Sequence, residues 1–503
     1  SSDMYIETDR SIQHLDVPPQ SSDMYIETDR SIQHLDVPLE IWKKIGDHNA
    51  LKLRLVSKTM RNITNNAKCA FTIHVKPEIN FSTFRTGLEK LTQSGPVSHL
   101  DISNNETQTM TYLNIATLSE LLNGLLYLKL SGNCSGDEAP LQKMLEMCIN
   151  LSHLNLSKNF LSTPPNCALI LGLKHCRSLL HLDLSLNNID NNGLIALTEG
   201  LKNCQYLSHL DLHENNIGEL GLRGLAVLLT SCRFLSHLNL SHNHIVGGGI
   251  QDLEPGLPTF NNLTHLNLSG NRISAQGMTV LENLLPRCTC LSHLNMSNCE
   301  LTHVKWKLLI SSLVYLDLSS NNISEIPLSL AQCTLLVHLD LHHNQLGRTG
   351  AQKLARDLRG CTLLSYFNID RNFIGNKGAA ALLESLQNLK SLTHLGLADS
   401  LIDNSDMEAI SGCLIHINSL THLRLSGNLI TCKGLEKFHI SENISCLQLD
   451  NNLLNKDGVS NLASRISKFT SLTHLDISGN HACDSGFESM ARLMNKSTSL
   501  VRL

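Results

Sequence analysis

Eleven histidines recur at one position of a repeating pattern: His99, His153, His181, His209, His237, His265, His293, His338, His394, His422 and His474. Two residues after most of them stands Asp or Asn (Asp183, Asp211, Asn239, Asn267, Asn295, Asp340), and two further on usually Ser. His, Asp and Ser are the parts of a hydrolase relay, but that chemistry needs them to converge on one buried, oriented hydrogen-bond chain. Residues two apart on a strand leave the same face in parallel and stay in water. Three uses of the histidine column remain open. It can be a consensus copied by duplication, with imidazoles stacking from strand to strand. It can be a pH-responsive surface, because strands lie about 4.8 Å apart and neighbouring imidazolium ions repel, spreading protonation below about pH 6.5. It can be a metal site, which a flat row serves poorly because zinc takes four converging ligands.

Other chemistry is sparse. There is no phosphate-binding G-x-x-x-x-G-K-[ST] loop, no H-E-x-x-H and no G-x-S-x-G. Gly247-Gly248-Gly249 sits in a repeat loop without a following Lys, and Cys288-Thr289-Cys290 lacks the second pair that a zinc site needs. No catalytic residue, metal or cofactor is therefore expected, and the chain does not read as an enzyme. Its 503 residues are 42% hydrophobic and 17% charged, with a formal net charge of −5, which gives no electrostatic reason to expect nucleic acid or an anionic membrane. No apolar stretch reaches the roughly 18 residues that span a bilayer. The opening SSDMYIETDR lacks the basic and apolar regions of a signal peptide, and sequons such as Asn155-Leu156-Ser157 fall within strands, where a glycan has no room. Sixteen cysteines would suit a secreted disulfide scaffold only in a short chain with a secretory signal. The expected location is the cytoplasm, the host's in the case of a pathogen effector.

The elements that position these residues follow from the repeat itself. L-x-x-L-x-L-x-x-N begins at Val97, Leu125, Leu151, Leu179, Leu207, Leu235, Leu263, Leu291, Leu313, Leu336, Leu364, Leu392, Leu420, Ile444 and Leu472, and a sixteenth copy starts at Leu500. Ten of the 14 intervals are 28 residues, and the last position is Asn in 13 copies, departing only at Cys299 and Ser400. L-x-x-L-x-L is a short strand whose leucines alternate inward. The Asn amide, both donor and acceptor, can satisfy the backbone where the chain leaves the strand. The remainder, such as GLIALTEGLKNCQYL (193–207), carries apolar residues at helical spacing. One unit cannot bury its own apolar face, so units stack on one another. Cys148, Cys176, Cys204, Cys232, Cys288, Cys333 and Cys361 all fall three residues before a repeat's first residue, which places them inward as small buried hydrophobes.

On these residues the chain resembles the ribonuclease-inhibitor type of leucine-rich-repeat protein, over about 400 residues. The resemblance implies an α/β fold: a curved solenoid or horseshoe with parallel strands inside and a helix outside each 28-residue unit. The units 291–312 and 313–335 are too short for a full helix, and LVYLDLSSNNISEIPLSLAQC (313–333) resembles a shorter, plainer repeat class, so curvature should lessen there.

Residues 1–18 and 21–38 are identical, a duplication too exact for a structural repeat, and residues 1–34 are expected to be disordered. The second copy runs into 37–63, where Val37-Pro38, Glu40-Ile41, Ile45, Leu53, Leu55-Val56-Ser57-Lys58 and Arg61 resemble an F-box. The stretch between Ile45 and Leu55 is about four residues shorter than is usual, one helical turn. The resemblance implies a short α-helical F-box-like cap over 35–66, followed by a linker over 67–96 and the solenoid over 97–503. It further implies an adaptor subunit of a cullin–RING ubiquitin ligase bound through Pro38, Leu39, Ile41, Ile45, Leu55 and Val56, with the repeats selecting a substrate. The alternative is a stand-alone binding or inhibitory solenoid, with 37–63 only sealing its end.

If the His–Asp/Asn–Ser rows are background, specificity belongs where a repeat departs from them. His213, Glu214 and His242 do so in the repeats starting at 207 and 235. His342, His343, Tyr366, Asp370 and Arg371 do so in those starting at 336 and 364, and Arg424 and Asp450 lie further along. Aromatic and Arg side chains are common anchors of protein interfaces. These residues are the expected partner-binding face, for a target protein whose identity the sequence leaves open.

Overall fold

The computed structural model describes Met4–Tyr5, Tyr25–Thr28, Phe71–Val75 and single positions within 85–92. From 97 to 502 it describes all but 104–120, 122, 133–138, 162–166, 257–260, 303–309, 327, 388, 406, 467–468 and 495–499. The F-box-like stretch 35–66, with Pro38, Leu39, Ile41, Ile45, Leu55 and Val56, lies outside the described residues. Of segment 1–34 only Met4–Tyr5 and Tyr25–Thr28 are described, both as strands; Tyr25–Thr28 runs antiparallel to Phe71–Val75, which pairs in parallel with Val97–Asp101.

The chain forms two compact units, one of residues 1–244 with 252–260 and one of 245–251 with 261–503. In the first, parallel strands Val97–Asp101, Tyr127–Lys129, His153–Asn155, His181–Asp183, His209–Asp211 and His237–Asn239 pair in sequence order. In the second, nine strands do the same: His265–Asn267, His293–Asn295, Tyr315–Asp317, His338–Asp340, Tyr366–Asn368, His394–Gly396, His422–Arg424, Cys446–Gln448 and His474–Asp476. Pairing joins like to like, as in His181↔His209, Leu182↔Leu210 and Asp183↔Asp211. The fixed repeat thus sets equivalent positions side by side from strand to strand within each unit.

The repeat starting at Leu179 shows why the sequence folds this way. Leu179, Leu182 and Leu184 are at most 2% exposed, and each contributes roughly 1.5–3 kcal/mol by leaving water. Asp190 caps the following helix Asn191–Leu201 by accepting a hydrogen bond from the Gly193 amide at 2.8 Å. Leu194, Leu197 and Leu201, at spacings of three and four, then bury the helix's inner face. Cys204 closes the unit: its thiol, buried and pushed up by desolvation, donates to the Cys176 carbonyl at 3.2 Å. The other six cysteines of this register are also buried, and burial drives Cys176, for one, to about 12.

Asparagine stitches the repeats together. Asn187 Nδ2 donates to the carbonyls of Leu156 (3.1 Å) and Leu184 (3.0 Å), while its Oδ1 accepts from the amides of Asn159 and Leu161, both at 3.0 Å. Asn321 and Asn372 repeat this cross-repeat bonding in the second unit. At the two exceptions the bonding thins. The Cys299 thiol reaches the Leu268 carbonyl at 3.2 Å, and Ser400 Oγ donates to Ala398 O of its own repeat.

Among the described residues the outer segments follow unit length with one departure. The short unit 313–335 carries the 3₁₀ turn Leu328–Gln332 in place of a helix, in keeping with the plainer repeat class. The unit starting at Leu235 has the full 28 residues yet forms the 3₁₀ helix Gly247–Gly256. Three consecutive glycines disfavour an α-helix, and Pro255 removes an amide donor. Gly247 also passes so close to the backbone of Ile273 and Gly277 that a Cβ would have no room.

Candidate functional site

Strands such as His181–Asp183, His209–Asp211 and His265–Asn267 present their first and third residues on the sheet face, half-buried around a buried leucine. The first row is a run of aromatic rings in contact, from His99 to His237 in the first unit and from His265 to His422 in the second, where Cys446 separates it from His474. In the first, ring centroids of His153–His181, His181–His209 and His209–His237 are 4.1, 3.8 and 3.8 Å apart. In the second, His265–His293 and His394–His422 both stack at 4.0 Å. Tyrosines fill positions where histidine is missing: Tyr127 beside His99 and His153, Tyr315 beside His293 and His338, Tyr366 beside His338 and His394. Where Ser or Thr precedes the histidine its hydroxyl holds the ring, as Ser152 Oγ does 2.8 Å from His153 Nδ1 and Thr393 Oγ1 does 2.8 Å from His394 Nδ1. Burial, helped by another imidazole of the row (His99 for His153, His153 for His181, His394 and His474 for His422), lowers the pKa of His153, His181 and His422, and burial alone lowers His293 and His394. At His338 burial also prevails, against Asp340 and Asp317. Burial in the row therefore disfavours the charged imidazole at these six positions.

The second row does not complete a hydrolase relay. Asp183 is held by Ser185, whose amide and hydroxyl donate to Oδ1 at 3.0 and 2.6 Å, while His181 engages its ring neighbours. Among the described residues no group of three or more His, Cys, Asp or Glu is arranged to hold a metal ion, and no helix is long and apolar enough to cross a membrane.

Departures from the rows form two sites of unequal organisation. In the first unit His213 takes the place of the usual Ser and sits 2.7 Å from Asp211 Oδ1 through Nδ1; Asn239 Nδ2 donates to the other Asp211 oxygen at 3.1 Å. That hydrogen bond to Asp211 raises the His213 pKa. Glu214 and His242 occupy the next position, which turns the chain off the strand with φ of 50° and 52°, and both point into solvent. His343 (φ 55°), Arg371 (φ 57°) and Asp399 (φ 47°) hold the same left-handed position in the second unit, where Gly270, Gly427 and Gly479 stand in other repeats.

The second site is a connected network. His342 Nδ1 lies 2.8 Å from Asp340 Oδ1, while the Tyr366 hydroxyl (3.5 Å) and Asn368 Nδ2 (3.3 Å) donate to Asp340 Oδ2. Burial pushes the Asp340 carboxyl up, but hydrogen bonds from the His342 ring and amide outweigh it and hold the pKa down, while His342 is raised in turn. Asp370, 5% exposed, accepts the Ala398 amide at 2.6 Å and Arg424 Nη1 at 3.0 Å, although Arg424 lies two repeats away. Gly396 makes this reach available. It sits between Asn368 and Arg424 in the row, and a Cβ there would meet Asn368 Oδ1 and come within 2.7 Å of Asp370 Oδ1. Arg371 pairs with Asp399 at 3.0 Å on the rim, and Asp450 accepts from Ser426 and Asn451. Of the expected residues, His342, Tyr366, Asp370 and Arg424 are thus brought together, Arg371 stands beside them, and His343 is exposed at the edge. The sequence did not single out Asp340, Asn368 or Gly396, since each is an ordinary residue type for its position or a mere gap in it.

Profiles described as Leucine Rich repeat match residues 175–197, 203–226, 231–253, 261–281, 332–355 and 416–438, and a second Leucine Rich Repeat profile matches 312–333. The chain carries leucine-rich repeats. This leucine-rich-repeat chain is similar in structure to a leucine-rich-repeat protein of Leptospira interrogans, with 19% identity, a TM-score of 0.57, and coverage of 82% of this chain and 97% of that one. It is also similar to an internalin of Listeria monocytogenes, with 22% identity, a TM-score of 0.50, and coverage of 72% and 88%. At these identities the likeness is one of fold. No curated protein matches the sequence.

Proposed function

We propose that this chain is a scaffold that holds another protein against the sheet face of its second unit, at the repeats starting at Leu336, Leu364, Leu392 and Leu420. The observation that carries this is the cross-repeat network Asp340–His342–Tyr366–Asn368 and Asp370–Arg424. It holds an aromatic ring, a guanidinium and an imidazole in fixed places while leaving each partly open to solvent. Pre-positioned Tyr and Arg groups lose little freedom when a partner binds them, which suits interface anchors. Affinity capture from lysate tests it. Wild-type chain should retain a partner that Tyr366→Ala with Arg424→Glu loses, and retention by both would refute the assignment to this face.

Within that function we infer the finer role of substrate receptor in a cullin–RING ubiquitin ligase, working in the cytoplasm. Support comes from the match of 37–63 to the F-box and from its place directly ahead of the repeats. Co-capture of the ligase adaptor, abolished by Leu55→Asp with Val56→Asp, is the expected result. Partner retention without any adaptor would leave a stand-alone binding scaffold.

A further inference from the structure

A serine or threonine stands directly before seven of the column histidines, and its hydroxyl touches two groups at once. In the first unit Oγ of Ser152, Ser208 and Ser236 lies 2.8–3.1 Å from the carbonyls of Leu126, Leu180 and Ser208 in the preceding repeat. Each also lies 2.8 Å from Nδ1 of the next residue, His153, His209 or His237. In the second unit Ser292, Thr393, Thr421 and Thr473 repeat the arrangement. Their hydroxyls are 3.0–3.1 Å from a carbonyl of the preceding repeat and 2.8–2.9 Å from Nδ1 of His293, His394, His422 and His474.

A hydroxyl has one proton to give and lone pairs to accept with, whereas a carbonyl oxygen only accepts. The hydroxyl proton therefore goes to the carbonyl. Turned toward the ring instead, it would leave lone pairs of two oxygens facing each other, at 2.8 Å between Ser152 and Leu126. With its proton spent, the hydroxyl oxygen accepts from the ring. Nδ1 then carries the proton of the neutral imidazole and Nε2 carries none.

We infer that these seven histidines are held in the Nδ1–H tautomer, which makes the row a surface of hydrogen-bond acceptors at neutral pH and of cationic donors in acid. Because Nδ1 is already occupied, an added proton enters at Nε2. Among the described residues, Nε2 of His153, His293, His394, His422 and His474 meets no hydrogen-bond partner, so a group that docks there at neutral pH must donate. Burial opposes the added proton at His153, His293, His394 and His422, with help from His99 at His153 and from His394 and His474 at His422. The charged groups on the same face are Asp101 with Lys129, Asp183, and Asp211 with His213 in the first unit. In the second they are Asp317, Asp340 with His342, Asp370 with Arg424, and Asp476. Each of these carboxylates bonds to a donor outside the histidine row. The place of the proton is independent of the scaffold function above, and it sets the polarity that a partner on this face has to match.

Two histidines of the column serve as built-in references. His181 and His338 follow Leu180 and Val337, so no hydroxyl of this kind fixes their tautomer. Long-range nitrogen–proton correlation NMR of the full chain, labelled at the histidine ring nitrogens and assigned by single substitutions such as His209→Gln, reads the proton directly. At neutral pH the seven rings should carry it on Nδ1, with His181 and His338 outside that class, and acid should add the second proton at Nε2. Ser208→Ala should end the dominance of the Nδ1–H form at His209, whereas Ser208→Thr should keep it. Leu180 is 36% exposed, so Leu180→Ser leaves the core intact, and it should bring His181 into the Nδ1–H class. Circular dichroism matched to wild type shows that each variant is folded. Rings of His209 and His237 that carry the proton on Nε2 in the wild-type chain overturn the inference. So does a His209 tautomer unchanged by Ser208→Ala, or a His181 tautomer unchanged by Leu180→Ser.

Discussion

Replacing Asn372 by Ala should be among the most damaging single changes in the second unit. Asn372 is 0% exposed, and its Nδ2 donates to the carbonyls of Leu341 (2.8 Å), Ile369 (3.0 Å) and Asp370 (3.1 Å), while its Oδ1 accepts the Leu346 amide at 3.3 Å. Alanine withdraws this partner from the Leu346 amide and from two buried carbonyls, at roughly 1–3 kcal/mol for each group left unsatisfied. Relaxation and partial sharing reduce the sum, and a loss of about 3–5 kcal/mol is expected. Urea unfolding followed by far-ultraviolet circular dichroism measures it, and hydrogen exchange at the Leu346 amide shows whether the opening is local. Asn188→Ala, at an exposed site one residue past the ladder, should cost no more than about 0.5 kcal/mol. Cys299→Asn, which restores the missing member of the ladder, should gain about 1 kcal/mol. An Asn372→Ala chain within 1 kcal/mol of wild type would refute the claim that side-chain amides hold the repeats in register.

Three further outcomes follow from buried and half-buried groups. Asp357, 4% exposed with its Oδ2 unpartnered, has its carboxyl pushed by burial, against Arg356, from 3.8 to about 6. Such a group destabilises fully above about pH 6 and progressively less toward 3.8, so Asp357→Asn should add roughly 3 kcal/mol at pH 7.5 and little at pH 4, read by urea unfolding at both. In that Asp357→Asn background, acidification should lower stability as pH falls through 6.5, because six column histidines have pKa values depressed in the fold and the unfolded chain takes up protons first. His213 and His342, raised by their aspartates, act oppositely: their contribution is complete below 6.5 and is lost as pH rises through their folded values. Histidine titration by NMR should separate the two classes, and one shared ordinary transition would show the stack to be electrostatically inert. Gly396→Ala should detach Arg424 from Asp370 and weaken partner capture without unfolding the unit, as checked by capture and circular dichroism together.

The repeat made much of this legible in advance. A fixed register names every buried leucine, the inward cysteines and the laddering asparagine, because each structural position is sampled up to fifteen times in one sequence. The histidine column was legible as a row, but the part that Tyr127, Tyr315 and Tyr366 play in it was not, and each stacks on a neighbouring histidine. The residues that organise the candidate site were harder to see. Gly396 matters through the space it leaves for a side chain two repeats away, and Asp340 looks like any other aspartate of its row until His342 and Asn368 close on it. The 3₁₀ helix at Gly247–Gly256 was hidden by a normal repeat length, although Gly247-Gly248-Gly249 and Pro255 carried the signal.

The central claim, that a partner protein sits on the sheet face of the second unit, is tested most directly by site-specific photocrosslinking in cells. A photoreactive amino acid would be placed at Tyr366, at Arg424, and at Glu384 on the exposed side of helix Gly375–Leu386. Adducts to one common protein from positions 366 and 424, with none from 384, are predicted. Adducts from 384 alone would contradict the account.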